Sequence, residues 1–441
     1  MAMDHEDFEG ADLRNEGVYD SVRFSQWRAG HARTDGMSRR ALLRAFGGAG
    51  LALAGAGQAA RGGLAARAAA GPTATAGPII KPLPAEWFYV YESPTIGANA
   101  EMRWEVMKDK GYLVPTENFY IRDHTSTPVI DARTWQLKVF GSGLRGAPAI
   151  GNAVTFSYED LLRMPSATVT SFIECAGNAR EFFFLQQGDA VTSVPWLLGG
   201  IGVAEWRGVR LADILDRAGI TPDAVDVMPQ GLDPDYVTGG VDYGHVRRPV
   251  PVAKALDDVI LAYEMNGRPL PLDNGFPLRF ICPSWIGVAN VKWVGQIEVS
   301  DTPLFSWWNT LAYRLFGPTY PAAGTLITTQ VVKSSFELEW NGTLPRGPQL
   351  LTGRSWSGNG RIAYTEVSTD GQTWRRARPR DRGLPHAWQR WEIPWQPPGP
   401  GAYTLRARAT DVTGATQPVT VPFNTREYLF DGIVDHHVTV T

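Results

Sequence analysis

The stretch Thr168-Val169-Thr170-Ser171-Phe172-Ile173-Glu174-Cys175-Ala176-Gly177-Asn178 reads as a strand that ends in a turn carrying one cysteine. Its first half is β-branched and aromatic, as strands are, whereas the small residues and asparagine at its end favour a turn. We therefore expect Cys175 on a loop at the end of a strand. Arg180 follows closely and would favour a thiolate, which a soft metal or a nucleophilic role requires. From the residues alone, Cys175 is a candidate nucleophile, a candidate metal ligand or a small buried apolar residue.

The sequence around this stretch mixes short strands with short helical segments. Strands are predicted over residues 135–140, 168–173 and 278–281, and an amphipathic helix is predicted over Leu211–Ala218. The regular alternation of strands and helices that a doubly wound parallel sheet requires is missing from the sequence. The pattern therefore predicts an α+β domain over residues 101–322.

The pattern changes after the Gly317-Pro318-Thr319-Tyr320-Pro321 segment. A strand is predicted over Ile362–Ser368, followed by a turn at Asp370-Gly371. Apolar and polar residues then alternate with the period of two that strands show, the apolar series being Tyr403, Leu405, Ala407 and Ala409. An all-β sandwich is therefore predicted for residues 323–441.

Composition and charge exclude several classes of protein. The 441 residues are 44% apolar and 11% aromatic, so the chain is too apolar for a disordered protein and too long for one ordinary core. With a net charge of −3, the chain has no excess of positive charge with which to bind nucleic acid or an anionic membrane surface. Two distant cysteines exclude a disulfide scaffold, a four-cysteine zinc site and a covalent c-type haem. The second of them, Cys282, ends an apolar run and is expected in the core.

The N-terminal region has the pattern of an export signal. Arg39 and Arg40 precede an apolar stretch, residues 45–57, that is shorter than the roughly 20 residues of a membrane-spanning helix. Small residues at 68–70 supply a cleavage site, so residues 1–70 are predicted to be a twin-arginine signal. That pathway exports folded proteins, which predicts a periplasmic protein, without a transmembrane segment, that binds a cofactor before export. The alternative is a disordered basic tail on a cytosolic protein.

Two further sequence features admit simple interpretations. Residues 71–100 are rich in proline and small residues and are predicted to form an extended N-terminal arm. Residues 141–146 match G-x-G-x-x-G, but Ala147-Pro148 follow at once and leave no helix to receive a pyrophosphate, so a hairpin turn is predicted. Walker A, G-x-S-x-G and H-E-x-x-H motifs do not occur in the sequence.

Three further blocks follow the cysteine stretch in a characteristic order. They are Tyr263-Glu264-Met265-Asn266-Gly267, Gly275-Phe276-Pro277-Leu278-Arg279 and Asn290-Val291-Lys292-Trp293. Together with the cysteine stretch, this set resembles the sulfite oxidase family of molybdopterin enzymes, from about residue 117 to the C-terminus. The resemblance implies a molybdopterin-binding α+β domain over residues 101–322. It also implies an immunoglobulin-like dimerisation domain over residues 323–441, and hence a homodimer.

The resemblance assigns expected roles to residues around a molybdenum–molybdopterin cofactor. Cys175 corresponds to the cysteine whose thiolate is the one protein ligand of the metal. The expected cofactor contacts are Tyr120, Ile121, Arg122, Asp123, His124, Asp233, Asn274, Arg279, Asn290, Val291 and Lys292. Asp123 stands where the family has asparagine, and animal members carry histidine in place of Asn274 and of Asn290. Charge-assisted hydrogen bonds to the cofactor phosphate are expected from three of these residues, Arg279, Lys292 and His124.

The resemblance also implies a substrate pocket of three arginines, a tryptophan and a tyrosine beside the metal. The matching residues are Arg122, Arg180, Arg426, Trp196 and Tyr313. The planar fork of a guanidinium suits a small oxyanion, and Arg426 comes from the predicted sandwich, so the pocket is expected where the two domains meet. The implied reaction is the oxidation of sulfite to sulfate. With no haem in this chain, the electrons are expected to pass to an external c-type cytochrome.

Other functions fit part of the pattern. The same scaffold serves the sulfane dehydrogenase of bacterial sulfur oxidation, in which a cytochrome is an obligate subunit. A methionine sulfoxide reductase would resemble the chain over the first domain alone. In a different class, an exported β-sandwich binding protein without cofactor is possible, although Cys175 argues against it. The aromatic run Phe305-Ser306-Trp307-Trp308 is expected in the core, with a contact surface as the alternative.

Overall fold

The computed structural model describes residues 79–93, 97–238 and 240–441 of the chain. The export signal predicted for residues 1–70 lies outside the described residues. Within the described residues, no helix is both long enough and apolar enough to cross a bilayer.

The N-terminal arm joins a small antiparallel sheet. Its strands are Phe88–Ser93, Gly97–Met102 and Ile121–Asp123, in that order. Buried Phe88, Ala100 and Ile121 form the core of this sheet. The second strand crosses residue 100, so the predicted boundary between the arm and the next domain falls inside a strand. Part of the predicted arm is therefore paired β-structure.

The first domain contains two further sheets of five strands. One has the strand order Val250–Pro251, Asp226–Gly231, Val294–Ser300, Gln136–Phe140 and Val154–Ser157. The other has the order Arg268–Pro269, Ile260–Met265, Ile201–Arg210 and Ala167–Glu174, and Arg279–Ile281 also pairs with its second strand. A two-stranded ribbon is formed by Val237–Thr238 and Val241–Asp242.

Helices in the described residues are short. The α-helices are Tyr158–Arg163, Glu181–Gln187, Leu211–Ala218 and Val252–Asp257. The first begins with a capping box, in which Ser157 accepts from the Asp160 backbone and Asp160 accepts from that of Ser157. Single turns of 3₁₀-helix are Trp104–Met107, Thr116–Asn118, Ile150–Asn152, Leu272–Asn274 and Gly287–Ala289, and a π-turn is Trp308–Ala312. Leu211–Ala218 has the predicted bounds, and its apolar face is buried between the sheets.

The glycine-rich residues 141–146 connect two antiparallel strands, Gln136–Phe140 and Val154–Ser157. Gly141 has a φ of +124°, and a Cβ at this position would lie 2.1 Å from the carbonyl oxygen of Val299. The segment begins a connection over residues 141–153 that packs against the sheet and includes the 3₁₀ turn Ile150–Asn152, so the strands form a hairpin whose loop is longer than the predicted turn.

Two sheets form the C-terminal part of the chain. The four-stranded sheet has the order Lys333–Phe336, Gln349–Trp356, Gln389–Trp395 and Arg378–Pro379. The five-stranded sheet has the order Gly342–Leu344, Val434–Val440, Gly401–Asp411, Ile362–Ser368 and Arg375–Arg376. Their facing side chains share one core, which includes Phe336, Trp391 and Ile393 from one sheet and Val367, Leu405 and Val438 from the other. The predicted all-β sandwich is therefore confirmed as an arrangement of two packed sheets.

The two parts of the chain meet through a common core. Strands Arg314–Leu315 and Thr325–Leu326 pair on either side of the predicted boundary at residue 322. The largest buried cluster combines Trp104 and Phe182 of the first domain with Trp356, Trp388 and Phe430 of the sandwich. The interface is therefore continuous with the hydrophobic core of the first domain, and an extensive apolar interface of this kind favours one position of the sandwich.

Candidate active site

Cys175 lies in the turn that follows the strand Ala167–Glu174, as the sequence predicts. The turn is closed by a hydrogen bond of 2.9 Å from the Asn178 backbone N–H to the Cys175 carbonyl oxygen. A Cβ at Gly177 would lie 1.9 Å from Nη2 of Arg180. The lack of a side chain at residue 177 therefore makes room for the Arg180 guanidinium to fold back over the turn. The turn therefore presents Cys175 and Arg180 on the same side of the sheet.

Two cavities meet at Cys175. The first, which we call the basic cavity, contains about 670 Å³ of empty space, and the second, the arginine pocket, contains about 690 Å³, open solvent included in both. The cavities share four lining residues, namely Arg122, His124, Cys175 and Tyr313. Cys175 is 7% exposed, so its thiol is buried at the junction of the two spaces.

The basic cavity brings together most of the residues predicted to bind a cofactor. Its walls include Tyr120, Arg122, Asp123, His124, Asp233, Asn274, Arg279, Asn290, Val291 and Lys292. Ile121 is the exception, because it is buried in the core of the small N-terminal sheet and does not line the cavity. Its side chain therefore does not reach the cavity, and a contact of Ile121 with the cofactor stays a prediction. The alternating strand Ile121–Asp123 points Ile121 in the opposite direction from Arg122.

Two buried cations, Lys292 and Arg279, line the basic cavity beside the carboxylates of Asp123, Asp233 and Asp273. Nζ of Lys292 pairs with the Asp123 carboxylate and donates a hydrogen bond of 2.8 Å to the carbonyl oxygen of Asp273. Nη1 of Arg279 donates to the carbonyl oxygen of Asn274 at 3.1 Å. Burial lowers the pKa of Lys292 and lowers that of Arg279 to about 10. Arg279 is charged at neutral pH and can still attract an anion into the cavity.

The basic cavity also holds polar atoms without partners. Oδ1 of Asp233 and Oδ1 of Asn274 are buried and accept no hydrogen bond from the described residues. Burial raises the pKa of Asp233 to about 6. Unsatisfied acceptors of this kind are unfavourable unless a ligand supplies N–H or O–H donors. Buried cations for a phosphate, acceptors for ring N–H groups and one thiol fit a molybdopterin group with its metal.

The environment of His124 disfavours a protonated imidazole. Burial and the charge of Arg122 hold the pKa of His124 well below its ordinary value. Nε2 of the ring lies 3.3 Å from the Tyr313 hydroxyl, and the ring packs edge to face on Trp308 with centroids 4.6 Å apart. The shift favours the neutral imidazole, and a charged His124 would require a nearby anion, so the charge-assisted bond from His124 to a phosphate stays a prediction.

The arginine pocket contains all five residues predicted to bind a substrate, and its position at the domain boundary is as predicted. They are Arg122, Arg180, Arg426, Trp196 and Tyr313. Arg180 is 5% exposed, and its Nε has no hydrogen-bond partner among the described residues. Trp196 is fully buried, and burial raises the pKa of Tyr313 well above its ordinary value, so its phenol stays protonated. The pocket thus presents a free guanidinium donor and a neutral hydroxyl to a small oxyanion.

Two neighbours of Arg426 shape this pocket and were not predicted. The ring of Tyr428 stacks on that of Tyr313, with centroids 5.2 Å apart and planes 2° from parallel, and Arg180 lies 5.3 Å from its centroid. The buried Glu427 carboxylate lies 3.8 Å from Nη1 of Arg180 and accepts hydrogen bonds from Thr192 and Ser193. Their position next to Arg426 in the sequence was the one signal that could have indicated them.

Cys282 and the aromatic run at residues 305–308 were both expected in the core. Cys282 is buried in the core of the first domain. Trp308 of the aromatic run is also buried, but together with half-buried Trp307 it lines the arginine pocket. The aromatic run therefore belongs to the core and also forms part of the wall of the arginine pocket.

Comparisons with known proteins agree with this site. The oxidoreductase molybdopterin-binding domain family matches residues 124–308. Mitochondrial sulfite oxidase of Mus musculus is 32% identical over 342 residues, which cover 73% of this chain and 60% of that protein. The enzyme of Homo sapiens is 33% identical over 345 residues, with the same two coverages of 73% and 60%. This chain therefore spans about 60% of the length of the curated relatives.

A solved structure extends the comparison to the fold. The crystal structure of the sulfane dehydrogenase SoxCD from Paracoccus pantotrophus superposes with a TM-score of 0.66 at 27% identity. The similarity covers 78% of this chain and 84% of that one. With a matching domain, related sequences and a shared fold, the chain belongs to the sulfite oxidase family of molybdopterin enzymes.

Proposed function

We propose that this protein oxidises sulfite to sulfate at a molybdenum cofactor and passes the electrons to an external acceptor such as a c-type cytochrome. The observation that carries the proposal is the position of Cys175, whose buried thiol lines both the basic cavity and the arginine pocket. A metal bound to the Cys175 thiol would have the rest of the cofactor in the basic cavity and the substrate in the arginine pocket. The related sulfite oxidases support the choice of sulfite.

The residues of the basic cavity would bind the cofactor. Arg279 and Lys292 would hold its phosphate, the unpartnered acceptors of Asp233 and Asn274 would accept from its ring, and the Cys175 thiolate would bind its metal. When bound, molybdenum–molybdopterin supplies oxygen-atom transfer to sulfur and takes up two electrons. Sulfite and water give sulfate, two protons and two electrons, and the external acceptor removes the electrons.

The residues of the arginine pocket would bind and orient the anion. Arg122, Arg180 and Arg426 supply positive charge from three separate parts of the chain, and Tyr313 supplies a neutral hydroxyl donor. Trp196 and Trp308 form apolar walls that exclude water, which strengthens each charge-assisted hydrogen bond. Protein groups thus attract and position the oxyanion, and they need not change their protonation state during the reaction.

A second substrate class is favoured by a specific observation. The chain covers 84% of the SoxCD sulfane dehydrogenase chain, against 60% of the mammalian sulfite oxidases. Oxidation of a protein-bound sulfane sulfur is therefore the alternative activity. The arginine pocket suits either a free oxyanion or the end of a sulfur-bearing group.

We further propose that the sandwich is the immunoglobulin-like dimerisation domain of the family and that the working protein is a periplasmic homodimer. The two packed sheets of the sandwich and the paired arginines at residues 39 and 40 support this proposal. Sedimentation of the purified protein tests the dimer, because a monomer at micromolar concentration would contradict it.

The central experiment measures metal and activity together. Full-length protein from cells that make molybdopterin should contain about one molybdenum per chain and reduce ferricyanide or cytochrome c when sulfite is added. A thiosulfate-derived persulfide on a carrier protein is the competing substrate. Faster turnover of the persulfide would assign sulfane oxidation. A protein without molybdenum that binds sulfite unchanged would instead be the cofactor-free binding protein.

A further inference from the structure

A buried ion pair joins the sandwich to the residue immediately before Cys175. Nζ of Lys333 lies 2.7 Å from Oε1 of Glu174, and the two side chains are 2% and 0% exposed. Lys333 begins the first strand of the sandwich, whereas Glu174 ends the strand that leads into the cysteine turn. The pair therefore crosses the domain interface next to the proposed metal ligand.

The same ammonium group contacts both ends of the cysteine turn. Besides Glu174, Nζ of Lys333 donates a hydrogen bond of 2.9 Å to the carbonyl oxygen of Asn178. Nδ2 of Asn178 donates back to Oε1 of Glu174 at 2.9 Å, and Oδ1 of Asn178 accepts from the Gly200 backbone at 2.9 Å. Residues 174 and 178 are thus tied to one another through one lysine, with Cys175 between them.

Two more residues of the C-terminal part bind Glu174. Nε1 of Trp356 donates to Oε2 at 2.9 Å, and Nε2 of Gln330 donates to the Glu174 carbonyl oxygen at 2.7 Å. Both carboxylate oxygens and the carbonyl oxygen of Glu174 are therefore held by residues beyond position 322. The cysteine turn is therefore supported from the sandwich in addition to its hydrogen bonds with Gly200 and Leu197 of the first domain.

We propose that Lys333 is a positioning residue that holds the Cys175 turn in the form that binds the metal, so that cofactor binding depends on docking of the sandwich. This inference rests on the proposed cofactor role of Cys175. Physical reasoning supports it, since a buried ammonium without its carboxylate partner is strongly unfavourable and a turn bonded at both ends has few other conformations. Lys333 does not touch substrate, and it would act through Glu174 and Asn178.

The test compares Lys333→Gln, Glu174→Gln and the double variant in the full chain, made in cells that lack molybdopterin. The rate of Cys175 alkylation by iodoacetamide, followed by peptide mass spectrometry, reports how far the turn opens. Each single variant should react about tenfold faster than the wild type, because each leaves one charge buried and unpaired. The double variant, with no unpaired charge, should recover to within about threefold of the wild type.

A matched control separates positioning from general loss of stability. Arg354 is also a buried sandwich cation, paired with Glu337 and bonded to the Met107 and Gly111 carbonyl oxygens of the first domain. Arg354→Gln should lower the unfolding temperature but leave Cys175 alkylation near the wild-type rate. Equal acceleration in Arg354→Gln and Lys333→Gln would overturn the proposal, as would a wild-type rate in Lys333→Gln. If Lys333→Gln does not fold, the double variant replaces it in the test. A double variant in which Cys175 is alkylated as fast as in Glu174→Gln would then overturn the proposal.

A second measurement uses protein made with the cofactor. Lys333→Gln should contain less molybdenum per chain, and its KM for sulfite should be unchanged because the arginine pocket is untouched. Lys333→Arg, which keeps the charge, should recover most of the metal. Full metal content in Lys333→Gln would contradict the inference. A wild-type protein without molybdenum would contradict the proposed function alone, since the alkylation rates do not depend on metal.

Discussion

At the scale of single residues, the chemistry of the proposed site depends on the Cys175 thiol. Cys175→Ser should give a folded protein whose sulfite oxidation is reduced more than about 100-fold, because an alcohol is a poor replacement for a soft thiolate ligand. Steady-state activity per folded chain, with circular dichroism as the measure of folding, checks this expectation. Cys282→Ser is the matched control, since the Cys282 side chain is buried in the core and lines neither cavity. Activity within a few-fold of the wild type in Cys175→Ser would contradict the ligand assignment.

Arg426 tests whether the sandwich contributes to anion binding. Arg426→Gln should mainly raise the KM for sulfite, with a smaller loss in kcat, because it removes one charge-assisted contact from the arginine pocket. A loss of about 1.5 to 3 kcal/mol corresponds to a decrease in kcat/KM of about one to two orders of magnitude. Arg378→Gln provides a control, since Arg378 pairs with Glu392 on the exposed face of the sandwich. Kinetics of Arg426→Gln equal to those of this control would place Arg426 outside the substrate site.

At the scale of secondary-structure elements, short sequence patterns predict the bounds of those helices and strands that have one apolar face. The helix Leu211–Ala218 and the strand Ile362–Ser368 have their predicted bounds, because one face of each is apolar at the correct period. The helix Glu181–Gln187 was missed, since its four adjacent apolar residues show no helical period and are divided between core and solvent by tertiary packing. Matching motifs located the predicted site residues, but Lys333, Glu427 and Tyr428 reach it through long-range contacts that no short pattern contains.

The strand Val434–Val440 contains a titratable group that makes stability depend on pH. His436 is 1% exposed, with Nε2 3.1 Å from the Glu339 carbonyl oxygen and Nδ1 buried without a hydrogen-bond partner among the described residues. Burial lowers its pKa from 6.5 to about 4. The unfolded chain therefore binds a proton more readily than the folded one between these values, and folding stability falls as the pH falls from about 6.5 to about 4.

Substitution of His436 checks this contribution. His436→Gln keeps a side-chain N–H for the Glu339 carbonyl oxygen and removes the titration. Urea unfolding at several pH values should show a smaller loss of stability between pH 6.5 and 4 than in the wild type. His437→Gln, on the exposed side of the same strand, is the control. Parallel pH profiles of His436→Gln and the wild type would assign the acid sensitivity to other groups.

At the scale of the whole molecule, export should depend on the paired arginines at residues 39 and 40. Replacing both by lysine should keep the precursor in the cytoplasm with its molybdenum and sulfite activity intact, because the signal precedes both folded domains in the sequence. Molybdenum content and sulfite activity in periplasmic and cytoplasmic fractions, with a β-lactamase reporter as a fractionation control, provide the measurement. Equal amounts of both versions in the periplasm would show that residues 37–70 are not a twin-arginine signal.

The contribution of residues beyond position 322 to the cysteine turn and to the arginine pocket has a consequence for the order of events during synthesis. A ribosome that has translated the whole first domain has made Cys175, Arg279 and Lys292, but not Lys333, Trp356 or Arg426, which complete the turn and the pocket. The nascent chain therefore cannot present a finished arginine pocket until Arg426 has left the ribosome. If Lys333 positions the turn as proposed, insertion of the cofactor follows synthesis of the first sandwich strand, and a chain that ends before residue 333 would be made without the cofactor.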